Sequence, residues 1–100
     1  MYPVEYAVRE SSTYTDWFDR LRDLRAKARI TERIQRLSYG YFGDVMPVGE
    51  GVSELRFNFG PGYRIYFVTR GRSVVILLAG GDKTTQGRDV ETARRLASQL

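Results

Sequence analysis

The run VSELRFNFGPGYRIYFVTRGRSVVILLAG, from Val52 to Gly80, decides the reading of the fold. In VSELRFNF the apolar side chains Leu55, Phe57 and Phe59 alternate with Glu54, Arg56 and Asn58. A period of two places the first set on one face of a strand and the second on the other. Gly60, Pro61 and Gly62 then form a turn. YRIYFV reads as a second strand, in which Tyr63, Ile65 and Phe67 oppose Arg64, Tyr66 and Val68. TRGRS is a hairpin turn. VVILLAG is apolar at every position, as expected of a central strand covered on both faces.

The flanking segments complete the outline. VEYAVRE alternates at Val4, Tyr6 and Val8, which predicts a first strand. SSTYTD offers several N-cap residues. Trp17, Phe18, Leu21, Leu24 and Ala28 follow at helical spacing, and Ile30, Ile34, Leu37 and Tyr41 form a second, offset series. Two helices, or one broken between Asp23 and Arg29, fit this better than a single continuous face. Gly40 and Gly43 end the region. Residues from about Thr84 to Gln99 predict a terminal amphipathic helix with Val90, Ala93, Leu96, Ala97 and Leu100 inward. The order is strand, helix pair, three-strand meander, helix. It describes one α+β domain over residues 1–100, with a small antiparallel sheet and the helix pair on one face. The opposite face is expected to be partly open, with Arg56 and Arg64 emerging there.

Composition narrows the chemistry. One hundred residues allow one core. Of the 16 basic residues only Lys27 and Lys83 are lysine, and the net charge is +4. Arginine's planar fork suits phosphate oxygens and stacks on bases, so a polyanionic partner is favoured, although genomic G+C content produces the same bias. With no cysteine and no histidine, disulfides, thiolate nucleophiles, Ser-His-Asp chemistry and most transition-metal sites are excluded. No apolar run is long enough to span a bilayer, and the N-terminus lacks a signal core. These features lead to the expectation of a cytoplasmic protein with no membrane partner and no cofactor.

Arg56 and Arg64 sit on successive strands with parity that places them on one face, where they would form a phosphate clamp. Tyr66 shares that face and would stack a base. The bland alternative is solvated strand charges with Tyr66 covering the sheet. Lys83, after Gly80, Gly81 and Asp82, lies at the start of the terminal helix, the wrong end for a cation unless an anion is received there. Alternatively Asp82 or Thr84 caps the helix and Lys83 points to solvent. Gln86 and Arg88, on the first turn of the helix, extend the set as RNA contacts. The charges of the helical region, among them Arg20, Arg25, Arg29, Arg33 and Arg36, read chiefly as a solvated face. Few acids lie near the site, only Glu54 and Asp82, which favours a mechanism without a metal.

WFDRLRD, ARITERIQRL, GDVMPVGEGVSELRFNFGPGYRIYF and LLAGGDKTTQGRDV, taken in order, resemble the toxins of type II toxin–antitoxin modules. Within the RelE/ParE superfamily the chain is most similar to the HigB-like addiction module killer proteins, from about Val4 to Leu100. The resemblance implies the same fold and a ribosome-dependent endoribonuclease that cuts messenger RNA in the A site. It also implies an antitoxin partner, for HigB-like proteins typically a helix-turn-helix DNA-binding protein. Arg64 matches the arginine of the family's GYR strand, Arg56 a basic residue on the preceding strand, and Lys83 one that follows the last strand. The terminal tyrosine of some RelE-like members has no match after Tyr66, so the proton-transfer group is unassigned, with Lys83 and Glu54 as candidates. Two rivals share the fold: a ParE-like poison of DNA gyrase, and a non-catalytic module that binds RNA or its antitoxin.

Overall fold

A computed structural model describes residues 5–100. The elements are β1 (Ala7–Glu10), α1 (Ser12–Arg20), α2 (Leu24–Ser38), β2 (Val45–Gly49), β3 (Val52–Arg56), β4 (Arg64–Arg70) and β5 (Val74–Gly81). A single 3-10 turn, Lys83–Thr85, then leads into α3 (Gln86–Ser98). Val4, expected in the first strand, lies outside the described residues.

The five strands form one sheet in the order β1-β5-β4-β3-β2. The predicted meander is present as β3, β4 and β5, with Leu55 opposite Ile65 and Tyr66 opposite Ala79. Two features were not read from the sequence. β1 joins β5 in parallel, Ala7 against Val74 and Glu10 against Leu77, so the sheet is mixed. Alternation identifies a strand but not the direction of its neighbour. β2 is an additional edge strand, paired antiparallel to β3 through a tight turn in which Glu50 has φ 57° and Gly51 φ 79°. Pro47 concealed it: proline cannot donate to a ladder and is tolerated only at an edge or a bulge, and the register shifts beside it.

The helix break falls at residues 21–23, earlier than the expected interval and overlapping it only at Asp23. Asp23 ends it as an N-cap, accepting from the backbone N–H groups of Arg25 and Ala26. α2 buries Ala26, Ile30 and Leu37. Leu24 and Ala28, expected inward, face solvent because the second helix starts afresh at Leu24 instead of continuing the face of α1, and Tyr41 is exposed because it lies past the end of α2. Leu100 is likewise exposed, beyond the end of α3. Ser11 caps α1: its Oγ accepts from Tyr14 N–H and donates to Leu78 O at 2.7 Å, which fixes α1 to β5.

Both faces of the sheet are covered. On one, Tyr14 of α1 and Ala26, Ile30 and Leu37 of α2 pack on Leu55, Phe57, Ile65, Phe67, Val75 and Leu77. On the other, Ala93 and Ala97 of α3 pack on Val52, Tyr66, Val68, Leu78 and Ala79. The face expected to be open is therefore largely covered by the terminal helix. Gly80 lets α1 approach closely, since a Cβ there would overlap the Trp17 indole. Gly80→Ala is expected to destabilise by about 3 kcal/mol, which lowers Tm by at least ~10 °C in a chain of this size. A Tm within about 2 °C of wild type would show that α1 does not rest on β5 as described.

Candidate anion site at the sheet end

The site is built on strand register. Arg56 of β3 pairs with Arg64 of β4, and Arg64 with Gly81 of β5, so two guanidinium side chains leave adjacent strands on the same face. Like charges directly opposite each other on a sheet are unfavourable. Carboxylates offset them here. Arg56 Nε lies 3.7 Å from Asp44 Oδ2, and Arg64 Nε lies 3.6 Å from Glu54 Oε1.

The two arginines differ in environment. Arg56 keeps a third of its side chain exposed and donates from Nη1 to Met46 Sδ. Arg64 is 5% exposed. Its Nη1 donates to Gly62 O and Tyr63 O, each at 3.0 Å, and more weakly to Phe57 O. Arg64 thus braces the Gly60–Gly62 turn from beneath, where the sequence suggested a solvent-facing clamp.

Lys83, the first residue of the 3-10 turn, packs against the Gly60–Gly62 turn. Gly60 and Gly62 have φ 56° and 75°, and the Lys83 stem crosses Gly62 so closely that a Cβ there would lie 2.8 Å from Lys83 Cγ. Lys83 N–H also reaches Pro61 O at 3.5 Å. Asp82 caps the 3-10 turn, accepting from Thr84 N–H at 2.8 Å and from Thr84 Oγ1 at 2.6 Å. These bonds hold its carboxyl below the usual carboxylate range. Lys83 itself is exposed and forms no salt bridge among the described residues. A shallow cavity of about 300 Å³, lined by Phe57, Asn58, Gly60, Pro61, Gly62 and Lys83, opens in front of it.

Of the expected site residues only Lys83 lines this cavity; Arg56, turned to Met46 and Asp44, and the buried Arg64 do not, and the remaining contacts do not converge there. Tyr66 is fully buried beneath α3, so its ring offers no face to a base. Its hydroxyl donates to Glu54 Oε2 at 3.1 Å. Gln86 Nε2 donates to the same oxygen at 2.8 Å and latches the first turn of α3 to β3. Glu54, 2% exposed and surrounded by Arg64, Tyr66 and Gln86, is an internal acceptor out of reach of any ribose. Arg88 is exposed and lies 3.6 Å from Asp89. Asp89 in turn accepts from Thr85 Oγ1 and stands where a Cβ on Gly81 would be. Strand parity had already put Glu54, Arg64 and Tyr66 on one face; this network became visible only once α3 was known to cover it.

Burial, and in Tyr66 the neighbouring Glu54 carboxylate, hold the phenols of Tyr14 and Tyr66 well above their ordinary value of 10.0. In the unfolded chain both ionise near pH 10, so the folded state there binds more protons. Stability is then fully present below pH 10 and falls as pH rises further, by up to roughly 2.7 kcal/mol per pH unit for two groups. Denaturant titrations at stepped alkaline pH should show this loss, with Tyr66→Phe reducing the slope by about half. An unchanged slope would place Tyr66 in contact with water.

Comparison with known proteins agrees with this architecture. Residues 16–98 match the family model described as Phage derived protein Gp49-like (DUF891). An uncharacterized protein of Haemophilus influenzae is 45% identical over 93 residues, covering 93% of this chain and 94% of its own. Among solved structures, a double arginine-to-alanine mutant of the E. coli toxin RelE in the free state superposes with a TM-score of 0.73. It does so at 9% identity, over 94% of this chain and 98% of that one. Among the described residues no helix is long and apolar enough to cross a membrane. The resemblance drawn from the sequence holds at the level of the fold, which is that of RelE, and the chain belongs to the Gp49-like family.

Proposed function

We propose that this protein is the toxin of a type II toxin–antitoxin module, a HigB-like endoribonuclease that cleaves messenger RNA on the ribosome and is neutralised by a helix-turn-helix antitoxin. Family and fold support the toxin class. The observation that carries the chemistry is the sheet end itself: Arg56 and Arg64 in register, with Lys83, in no salt bridge among the described residues, lying across the Gly60–Gly62 turn that Arg64 braces. Arg56, a third of its side chain exposed, and the exposed Lys83 are cations that an anionic ligand could meet.

In this reading the ribose 2′-oxygen attacks the adjacent phosphorus, the P–O5′ bond breaks, and the products are a 2′,3′-cyclic phosphate and a 5′-hydroxyl. The 2′-hydroxyl proton leaves to a base, and a proton is delivered to the 5′-oxygen. Lys83 and Arg56 contact the phosphoryl oxygens and stabilise the charge that grows on them. Arg64 is a positioning residue that holds the turn and adds its field from below. With Glu54 buried and no histidine in the chain, the ribosome's placement of the RNA supplies much of the orientation.

Incubation with programmed ribosomes and a short messenger RNA tests this reading, with EDTA-treated naked RNA in parallel. A-site cuts that persist in EDTA and fade in Lys83→Ala are expected. Growth arrest by a folded protein that cuts nothing would refute the ribonuclease and direct attention to gyrase. A second reading, a non-catalytic binding module, draws on the burial of Arg64 and the engagement of its Nη1 with three carbonyls. Salt-sensitive RNA binding without cleavage would favour it.

A further inference from the structure

A second groove adjoins the Lys83 cavity. It holds about 280 Å³ and is lined by Arg29, Glu32, Arg33 and Arg36 of α2 with Phe57, Asn58 and Phe59. Phe57 and Asn58 line both cavities, so the two are neighbours, meeting at the residues that follow β3. The spacing of 29, 32, 33 and 36 places all four α2 side chains on one helix face.

These arginines are ordered by the fold. The Arg29 guanidinium lies over the Phe59 ring at 4.7 Å, and that of Arg33 over Phe57 at 4.8 Å. Arg33 also donates to the carbonyls of Arg56 at 2.6 Å and Asp44 at 3.1 Å, so it forms the floor and fastens α2 to the sheet end. Arg29 makes no salt bridge and no side-chain hydrogen bond among the described residues. Its donors are free while its plane is held. Arg36 is half committed, at 2.8 Å from Glu32. Three cations against one anion leave the groove positive.

We propose that this groove is a flanking-nucleotide subsite: a single RNA strand whose scissile phosphate faces Lys83 continues over Asn58 and seats its next phosphate on Arg29 and Arg36. A stacked guanidinium with free edge donors is suited to a phosphate, which accepts from the fork while the π-face stays covered. Asn58 is exposed at the junction of the two cavities, and its side chain makes no hydrogen bond among the described residues. It can both donate to and accept from a base edge. A single strand is favoured over a duplex because the exposed Asn58 between the two cavities can meet the edge of an unpaired base. The inference rests on the ribonuclease reading for its direction, and on the groove alone for RNA binding.

Two measurements separate these. The first is fluorescence anisotropy of a short labelled single-stranded RNA with the full chain, as wild type, Arg29→Ala, Arg29→Glu and Arg95→Ala. Arg95 is exposed on α3, remote from both cavities, and alanine preserves helix propensity at either position. Arg29→Ala is expected to weaken binding about tenfold, Arg29→Glu further, and the alanine variant to lower the salt slope by about one. Arg95→Ala should match wild type. Equal affinity and salt slope in wild type and Arg29→Glu would overturn the subsite. The second is cleavage on programmed ribosomes, where Arg29→Ala should act on KM more than on kcat. If wild type cuts nothing yet Arg29-dependent binding persists, the subsite stands and the ribonuclease reading fails. If wild type cuts and Arg29→Glu binds and cuts equally well, the reading stands and the subsite fails.

Discussion

Lys83→Ala is expected to cut A-site cleavage about a hundredfold, equivalent to ~3 kcal/mol of transition-state stabilisation. The effect should fall on kcat, because an ammonium aimed at the phosphoryl oxygens matters most as charge accumulates there. Stability should barely move. Lys83 is exposed and makes no salt bridge among the described residues, so its loss belongs with surface changes within roughly 0.5 kcal/mol. Single-turnover cleavage beside a thermal melt separates the two quantities. A fall in rate below about threefold, with the fold intact, would remove Lys83 from the chemistry. Lys83→Arg is informative as well: a guanidinium keeps the charge but must pass the same close stem contact with Gly62, so partial recovery is expected.

Glu54→Ala is expected to be the most damaging change to the fold. It strands the buried Arg64 guanidinium without its counter-charge, and removes the acceptor of Tyr66 Oη and Gln86 Nε2. Breaking a buried pair from one side costs about 3–5 kcal/mol, against a total stability of roughly 5–15 kcal/mol for a domain. Chemical denaturation would read the loss directly. The paired change Glu54→Ala with Arg64→Met should recover part of it, since the penalty lies in the orphaned charge. A loss under about 1 kcal/mol in the single variant would mean that water reaches Arg64.

Much of this could be read in the chain. The alternation in Val52–Phe59 and Tyr63–Val68 defined two strands and their parity, and with it the register neighbours Arg56 and Arg64. The apolar β5 announced a strand covered on both sides. That observation conflicted with the expectation of an open face, and the conflict is resolved by α3. Tyr66 shows the consequence: parity located its face correctly, but only tertiary packing decides whether a face is wet. β2 was hidden by Pro47, and the direction of β1 is a property of the sheet with no trace in a strand of four residues. Arg29 and Arg33 looked like members of a solvated helix face. Their rings, Phe59 and Phe57, lie more than 20 residues downstream, and no local pattern connects them.

The parallel pairing of β1 with β5 bears on how the chain comes to be folded. Ala7 meets Val74, and the strands between them are made first. During synthesis β1 has no partner until β5 has been made, and the Glu54–Arg64 layer has no lid until α3 follows. Such distant closures are slow relative to hairpins and helices. The meander and α2 can form as the chain lengthens. The first strand and the terminal helix are added at the close, so the sheet end that carries Lys83 takes its final shape only when nearly every residue is in place.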